Sequence, residues 1–575
     1  MAVFKVWAPK ARNVEIEIGG GRHPMGARPG NWRELEVTWA RPGDNYWFVL
    51  DSKRRLPDPR SQSQPQGIDG PSQLVDHSAF GWKHDRWKVT PLNEALIYEL
   101  HVGTFSSEGT FDGVLSHLDH LVDLGVTHVE LMPVNEFSGS YGWGYDSVDI
   151  YAPHHAYGGP DGLKRLIDGC HGRGLAVIAD VVYNHFGPVG NYLDSFGDYF
   201  TDRYATPWGR AVNLDGSGSD EVRGYFFDHA RMMLRDYRFD GLRLDAIHAI
   251  YDMSAIHFLE ELAAETRKLE VELDRKLVLI AESDLNDPRI VQRTEKGGYG
   301  LDAQWSDDFH HALHALLTGE RTGYYGDFGS VAALAKAIRQ AYVYDGCYSA
   351  FRKRRHGREP RGLSGVNFLA YLQNHDQVGN RAQGDRSAHL MDIARLKIAA
   401  ALVLMSPFVP LLFQGEEWAA SSPFLYFTNH RDGRLGEAVR QGRRREFAGF
   451  GWKPEDVPDP QAPETFLRSK LKWNEIAEAP HREMLEWHRT LIRLRRENPA
   501  VTRTPLEDTK VQFDDRARWL SVQRGPISIV GNFADTENVV PCAEGRVLLA
   551  SRGTGRGPGQ VTMPPVSVAI VTTDA

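Results

Sequence analysis

Cysteine is scarce in this 575-residue chain. Its three residues, Cys170, Cys347 and Cys542, lie far apart. That excludes a disulfide framework and a cysteine-based zinc cluster, and it fits a reducing, cytoplasmic setting. Long apolar runs are missing as well. The segment IAAALVLMSP is too short to span a bilayer. The opening MAVFKVWAPKARNVEIEI carries Lys5 and Lys10 where a secretory leader would be apolar, so it reads as a strand. Positive charge is not in excess. Sixty-seven Lys and Arg face 76 Asp and Glu, for a net charge of −9. Neither nucleic acid nor an anionic membrane is the expected partner. Internal repeats are absent, and no GxGxxG follows the first strand of the central region.

What is present is the composition of a globular protein, 41% hydrophobic and 25% charged. The length exceeds one compact core, so several domains are expected. The 14 Trp and 21 Tyr suit stacking on sugar faces, although large enzymes also bury many such rings. Residues 1–90 alternate in FKVWAP and VEIEI between Gly/Pro-rich turns, which predicts a small immunoglobulin-like sandwich resembling a glucan-binding module. Residues 501–575 return to short β runs such as WLSVQR, ISIVGNF and VSVAIVTT, predicting a small C-terminal β domain.

Between them, residues 91–500 alternate strand and helix. ALIYELHVGTF, VTHVELMPV, LAVIADVVYNH, GLRLDAIH, LVLIAES, LDAQWSDDF, GVNFLAYLQNHDQ and VPLLFQGEEW read as eight strands. Helical patterns separate them, among them DGVLSHLDHLVDLG with its glycine stop. This predicts an α/β fold, a (β/α)8 TIM barrel, with a doubly wound open sheet as the alternative.

Barrels of this kind carry their chemistry where strands end. GLRLDAIH places Arg243 and Asp245 two apart, so both share one strand face while Leu242, Leu244 and Ala246 take the other. Alone, the pair could be a structural salt bridge. Yet the next strand ends in Glu282, and the seventh runs into Asn374, His375, Asp376 and Gln377. Carboxylates converging from three strand ends raise the pKa of at least one, an arrangement made for chemistry more than for packing. Cations beside them compete with a metal. Retaining glycosidases use two carboxylates about 5 Å apart, one attacking the anomeric carbon and one shuttling the proton. A guanidinium would keep Asp245 ionised, and the apolar LVLIA before Glu282 suits a proton donor.

DVVYNH, GLRLDAIH, IAES and LQNHDQ, in that order, resemble the four motif regions of the α-amylase family of glycoside hydrolases, and the resemblance covers the whole chain. It implies Asp245 as nucleophile, Glu282 as acid/base and Asp376 as the aspartate that holds sugar hydroxyls. It also implies Tyr145, His185, Arg243 and His375 around the −1 sugar, and His248, Asn374 and Gln377 in the surrounding binding set. Further segments, NHFGPVGNYL, YFTDRYATPWG, AESDLNDPR and QWSDDFHH, are similar to the trehalose-releasing branch of that family. That branch cuts the α-1,4 bond beside the trehalose end of a maltooligosyl trehalose, working in sequence with the synthase that makes this substrate.

This likeness implies that Asp307, Asp308, Phe309, His310 and His311 help form the +1 and +2 subsites, with Trp208 nearby. The bland alternatives are a helix start capped by Asp307 or Asp308, and a core tryptophan. Asn429 and Gln414 depart from the expected pattern. Residues 186–220 are short and lack a dense acidic ligand set, so no metal and no cofactor is expected. A glycogen branching enzyme, an isoamylase-like debranching enzyme and a non-catalytic glucan-binding protein are the rival readings.

Overall fold

The computed structural model describes residues 1–448 and 452–573. Eight parallel strands close into a barrel: β1 (Ile97–Leu100), β2 (His128–Leu131), β3 (Ala176–Val181), β4 (Gly241–Leu244), β5 (Val278–Ala281), β6 (Ala303–Trp305), β7 (Phe368–Ala370) and β8 (Val409–Phe413). The strands are buried along their whole length, as parallel strands covered by helices must be.

Register decides what the barrel encloses. Arg243 pairs with Asp180 on one side and Ile280 on the other. Ile280 pairs with Ala303, Trp305 with Leu369, Leu369 with Val409, and Leu411 with Ile97. Register partners in parallel strands face the same way, as do residues two apart. Ile97, Ile178, Ile280, Trp305, Leu369, Tyr371 and Leu411 accordingly form one apolar cluster inside the barrel. Glu99, Asp180, Arg243, Asp245 and Glu282 continue the same rows toward the strands' C-terminal end.

Several strands stop earlier than the sequence predicts. β4 ends at Leu244; Ala246 then adopts φ 37°, ψ 51°, and Ile247–Ala249 form a 3-10 turn. β6 ends at Trp305, where the Ser306 hydroxyl accepts a bond from the Phe309 N–H and starts the helix Asp307–Thr318. The cap is therefore Ser306, not either aspartate. β7 ends at Ala370, and His375–Gly379 is a short helix capped by Asn374. DGVLSHLDHLVDLG splits into Phe111–Leu115 and Leu118–Leu124, with Gly125 at φ 100° as the stop.

Before the barrel lie two antiparallel sheets. One holds Ala2–Trp7, Trp32–Val37 and Gly26–Arg28; the other is built around Val14–Ile18 and Asn45–Leu50. They seat on the loop after β3, where Trp7 meets Tyr199 edge-on and the Lys10 N–H donates to the Phe196 carbonyl. After the barrel, Lys510–Asp514, Trp519–Arg524, Ile527–Asn532, Ser567–Thr572 and Arg546–Ala550 make an antiparallel sheet in that spatial order. Among the described residues no helix is long and apolar enough to cross a membrane.

Candidate active site at the barrel mouth

Arg243 is the centre of the site. Its side chain is fully buried, and Nη1 donates to both oxygens of Asp180 at 2.9 Å and to Asp245 Oδ1 at 3.0 Å. Nη2 lies 3.5 Å from Glu282 Oε2, and the guanidinium rests 4.2 Å over the Trp305 ring. One cation thus serves three carboxyl groups and cannot hold all three ionised at low dielectric. Burial raises Glu282 well above the usual carboxylate range; Arg243 opposes this, and the charges of Asp245, Asp376 and Asp307 add to it. Asp180 is pushed up to about 6, again by burial against the pull of Arg243. The balance favours the acid form of Glu282.

Local backbone geometry supports this arrangement. The left-handed turn at Ala246 aims its N–H at Glu282 Oε2, and the Ile247 N–H donates to the Glu282 carbonyl at 3.1 Å. A left-handed alanine costs about 1–2 kcal/mol, so the site holds strain between its two carboxylates.

A second cation sits opposite. Burial opposes the charging of His375, but Glu99 and Asp376 raise its pKa to about 9. Its Nδ1 bonds Glu99 Oε1, its backbone N–H donates to Glu99 Oε2 at 3.1 Å, and Nε2 lies 3.5 Å from Asp376 Oδ1. Tyr145 stacks on this imidazole at 5.0 Å and donates its hydroxyl to Asp180 at 2.5 Å. The Asp376 side chain is 41% exposed, the most open of the three candidate carboxylates. Asn374 turns away from solvent to accept the Gln377 N–H at 2.9 Å, while Gln377 itself is half-buried.

His375 is a base whose folded pKa lies above its ordinary value. Its contribution to stability is complete below about pH 6.5 and is lost as the pH rises through about 9. Glu99→Gln keeps an acceptor but removes the charge. The His375 pKa then falls by about one pH unit. An NMR titration of its imidazole checks this, and an unmoved pKa refutes it.

The remaining candidates divide. His185 is buried, bonds Asn184 Oδ1 at 3.2 Å and stacks 4.7 Å from Trp208. Trp208 is 48% exposed between the strands Phe200–Thr206 and Gly209–Val212, so it is not a core ring. The two help line a cleft of about 250 Å³ with Phe186, Asn191 and Arg210. His248 sits in the 3-10 turn after Ala246. Despite burial, Asp284 is held below its usual range by His248 and by Arg352, 3.0 Å away.

The run 307–311 does not act as a block. Asp307 accepts the Tyr371 hydroxyl at 2.5 Å, and burial lifts it to about 7. Its charge reaches Glu282. One residue on, 100° around the helix, Asp308 accepts the Asn286 amide and the N–H groups of Val343 and Tyr344. It pins a loop. Phe309 is fully buried against Phe408, and His310 is spent on the Leu372 carbonyl and the Tyr325 hydroxyl. All three are buried among protein partners. His311 is buried against Tyr324 and Phe328.

Asn429 braces the 139–140 turn through the Ser140 N–H, and Gln414 ties His101 to Thr104. Glu99, Glu130, Trp305 and Tyr371 escaped the sequence reading. The signal was there for the two glutamates. IYEL and HVEL each carry a carboxylate inside an apolar strand, just as GLRLD carries its arginine.

An α-amylase catalytic-domain family model matches residues 60–206, and a domain of unknown function, DUF3459, matches residues 506–570. A malto-oligosyltrehalose trehalohydrolase of Rhizobium sp. (strain M-11) is 48% identical over 99% of this chain and 97% of its own length. A 1,4-α-glucan branching enzyme of Xanthomonas oryzae is 31% identical over only 54% of this chain. Among solved structures, one from Salmonella typhimurium, provisionally assigned as an α-amylase, superposes with TM-score 0.93 at 38% identity, covering 100% of this chain and 97% of that one.

Proposed function

Since the chain belongs to the malto-oligosyltrehalose trehalohydrolase family, within the α-amylase group of glycoside hydrolases, we propose that it hydrolyses the α-1,4-glucosidic bond adjacent to the trehalose end of a maltooligosyl trehalose. The products are free trehalose and a shortened maltooligosaccharide. The observation that carries the chemistry is the shared guanidinium: Asp245 and Glu282 lie on the two nitrogens of Arg243, and burial pushes Glu282 toward its acid form.

The reaction we infer is retaining. Asp245 Oδ attacks the anomeric carbon of the −1 glucose while Glu282 gives its proton to the departing O4 of trehalose. Glu282, now ionised, takes a proton from water as that water attacks the glycosyl ester. Asp245 is released and the α configuration restored. Asp376 and His375, 3.5 Å apart, suit sugar hydroxyls. Tyr145 suits a sugar face, with its ring fixed by stacking on His375. Asp307 lies on the leaving-group side in this reading, and a protonated Asp307 can donate to a trehalose hydroxyl.

The setting is the cytoplasm, downstream of the synthase that makes the substrate. Incubation with maltotriosyl trehalose is expected to release trehalose. No trehalose overturns the specificity, and branched glucan formed from amylose instead assigns a branching enzyme. Asp307→Ala should lower kcat/KM for maltotriosyl trehalose about tenfold, the size of one lost hydrogen bond to a polar substrate group. It should alter side cleavage of plain maltooligosaccharides less; equal losses on both substrates sink the subsite.

A further inference from the structure

A second set of ionisable groups lies outside the barrel mouth. The short strand Asn135–Glu136 pairs with Asp149–Pro153, and these two strands bracket the loop 137–148 that brings Tyr145 to Asp180. His154 and His155 follow directly. Glu136 Oε1 is 3.2 Å from His154 Nδ1 and 2.7 Å from His155 Nδ1, and one donor atom from each of the three residues lies within 4.8 Å of the others.

Hydrogen bonding accounts for only part of this. His155 satisfies Glu136 twice, through its N–H at 2.8 Å and its ring. His154 is left over. It is fully buried, and apart from the 3.2 Å contact of Nδ1 with Glu136 neither ring nitrogen has a hydrogen-bond partner among the described residues. Asp149, opposite Glu136 in the ladder, also buries an oxygen, Oδ2, without a partner. Idle buried polar groups cost free energy unless something binds them.

We propose that Glu136, His154 and His155 bind one divalent transition cation of the zinc type. Two ligand atoms on a tetrahedral zinc lie about 3.3 Å apart, given bonds of about 2.0 Å. The 3.2 Å contact already has that spacing. The 2.7 Å contact must open by about 0.6 Å, exchanging a hydrogen bond for a metal bond. Two imidazoles and a carboxylate favour zinc, nickel or copper over calcium and magnesium, which take oxygen.

Entry is from the His155 side, 27% exposed, across Gly67. A Cβ there would stand 3.6 Å from the His155 ring and 3.9 Å from Glu136 Oε1. Arg431 lies at the same rim, its Nη2 3.6 Å from that position. It is exposed and is the natural competitor. Such an ion is a staple at the base of the Tyr145 loop, not part of the catalytic mouth.

The test uses the full chain, stripped with chelator and dialysed, then titrated with zinc chloride against a chromophoric chelator. One equivalent is expected to bind, with an upward shift in Tm. His154→Ala and His155→Ala should each weaken binding at least about tenfold. His155→Ala, partly exposed, guards against a misfolded His154 variant. No saturable equivalent, or undiminished binding in His155→Ala, overturns the proposal; so does equal competition by calcium.

Discussion

Asp245→Asn is expected to abolish turnover, lowering kcat by about 10⁴-fold or more, with the fold intact. The size follows from the role: without a nucleophile the glycosyl ester cannot form, and transition-state positioning alone remains. The intact fold follows from geometry. An asparagine oxygen can still accept from Arg243 Nη1, now at 3.0 Å from Asp245, and Asp180 keeps its own two bonds to that nitrogen. Circular dichroism and Tm should match the parent protein. Asp245→Ala opens room beside the anomeric carbon, so added azide should restore part of the first step and give the product of inverted configuration. Substantial turnover in the asparagine variant, or azide rescue with retained configuration, would refute Asp245 as nucleophile.

The second large effect belongs to Arg243. Arg243→Met removes the one cation shared by Asp180, Asp245 and Glu282 and leaves buried like charges facing one another. Removing one partner of a buried ion pair costs about 3–5 kcal/mol, so the variant should melt well below the parent. The pH dependence has a definite sign. Arg243 lowers the pKa values of Asp180 and Glu282, and without it both rise further. A carboxyl whose folded pKa lies above its unfolded value favours folding only while protonated. The deficit of the variant should therefore be larger at pH 8 than at pH 5. Urea titrations at the two pH values measure it, and an equal deficit at both counts against the shared-cation account. Arg243→Lys restores charge but cannot present two nitrogens to separate carboxylates, so it should recover stability better than turnover.

How much of this was readable beforehand differs from residue to residue. Arg243, Asp245 and Glu282 were legible because strand periodicity is rigid: a charge in an apolar strand must face something, and two-residue spacing says which way. Glu99 obeys the same rule in IYEL and pairs in register with Glu130. Asp307 to His311 were harder. At a strand end neighbours alternate between two faces, but Ser306 starts a helix there and each residue turns by about 100°. Asp307 then points to the site while Asp308 and Phe309 turn into the protein. Trp208 shows the same limit, since no local pattern distinguishes a core tryptophan from one stacked on His185 at the rim.

The sequence by itself determined the eight-strand rhythm, the flanking β regions and the order of the four motifs, because side-chain alternation and helix periodicity act between near neighbours. Only the tertiary structure decided which carboxylates share one cation. Asp180, Asp245 and Glu282 are 102 residues apart end to end, a distance read from their numbering. Their charges meet only when the barrel closes around one guanidinium in a dry interior. Burial and Coulomb interaction act through space, and neither is written in the spacing of the chain.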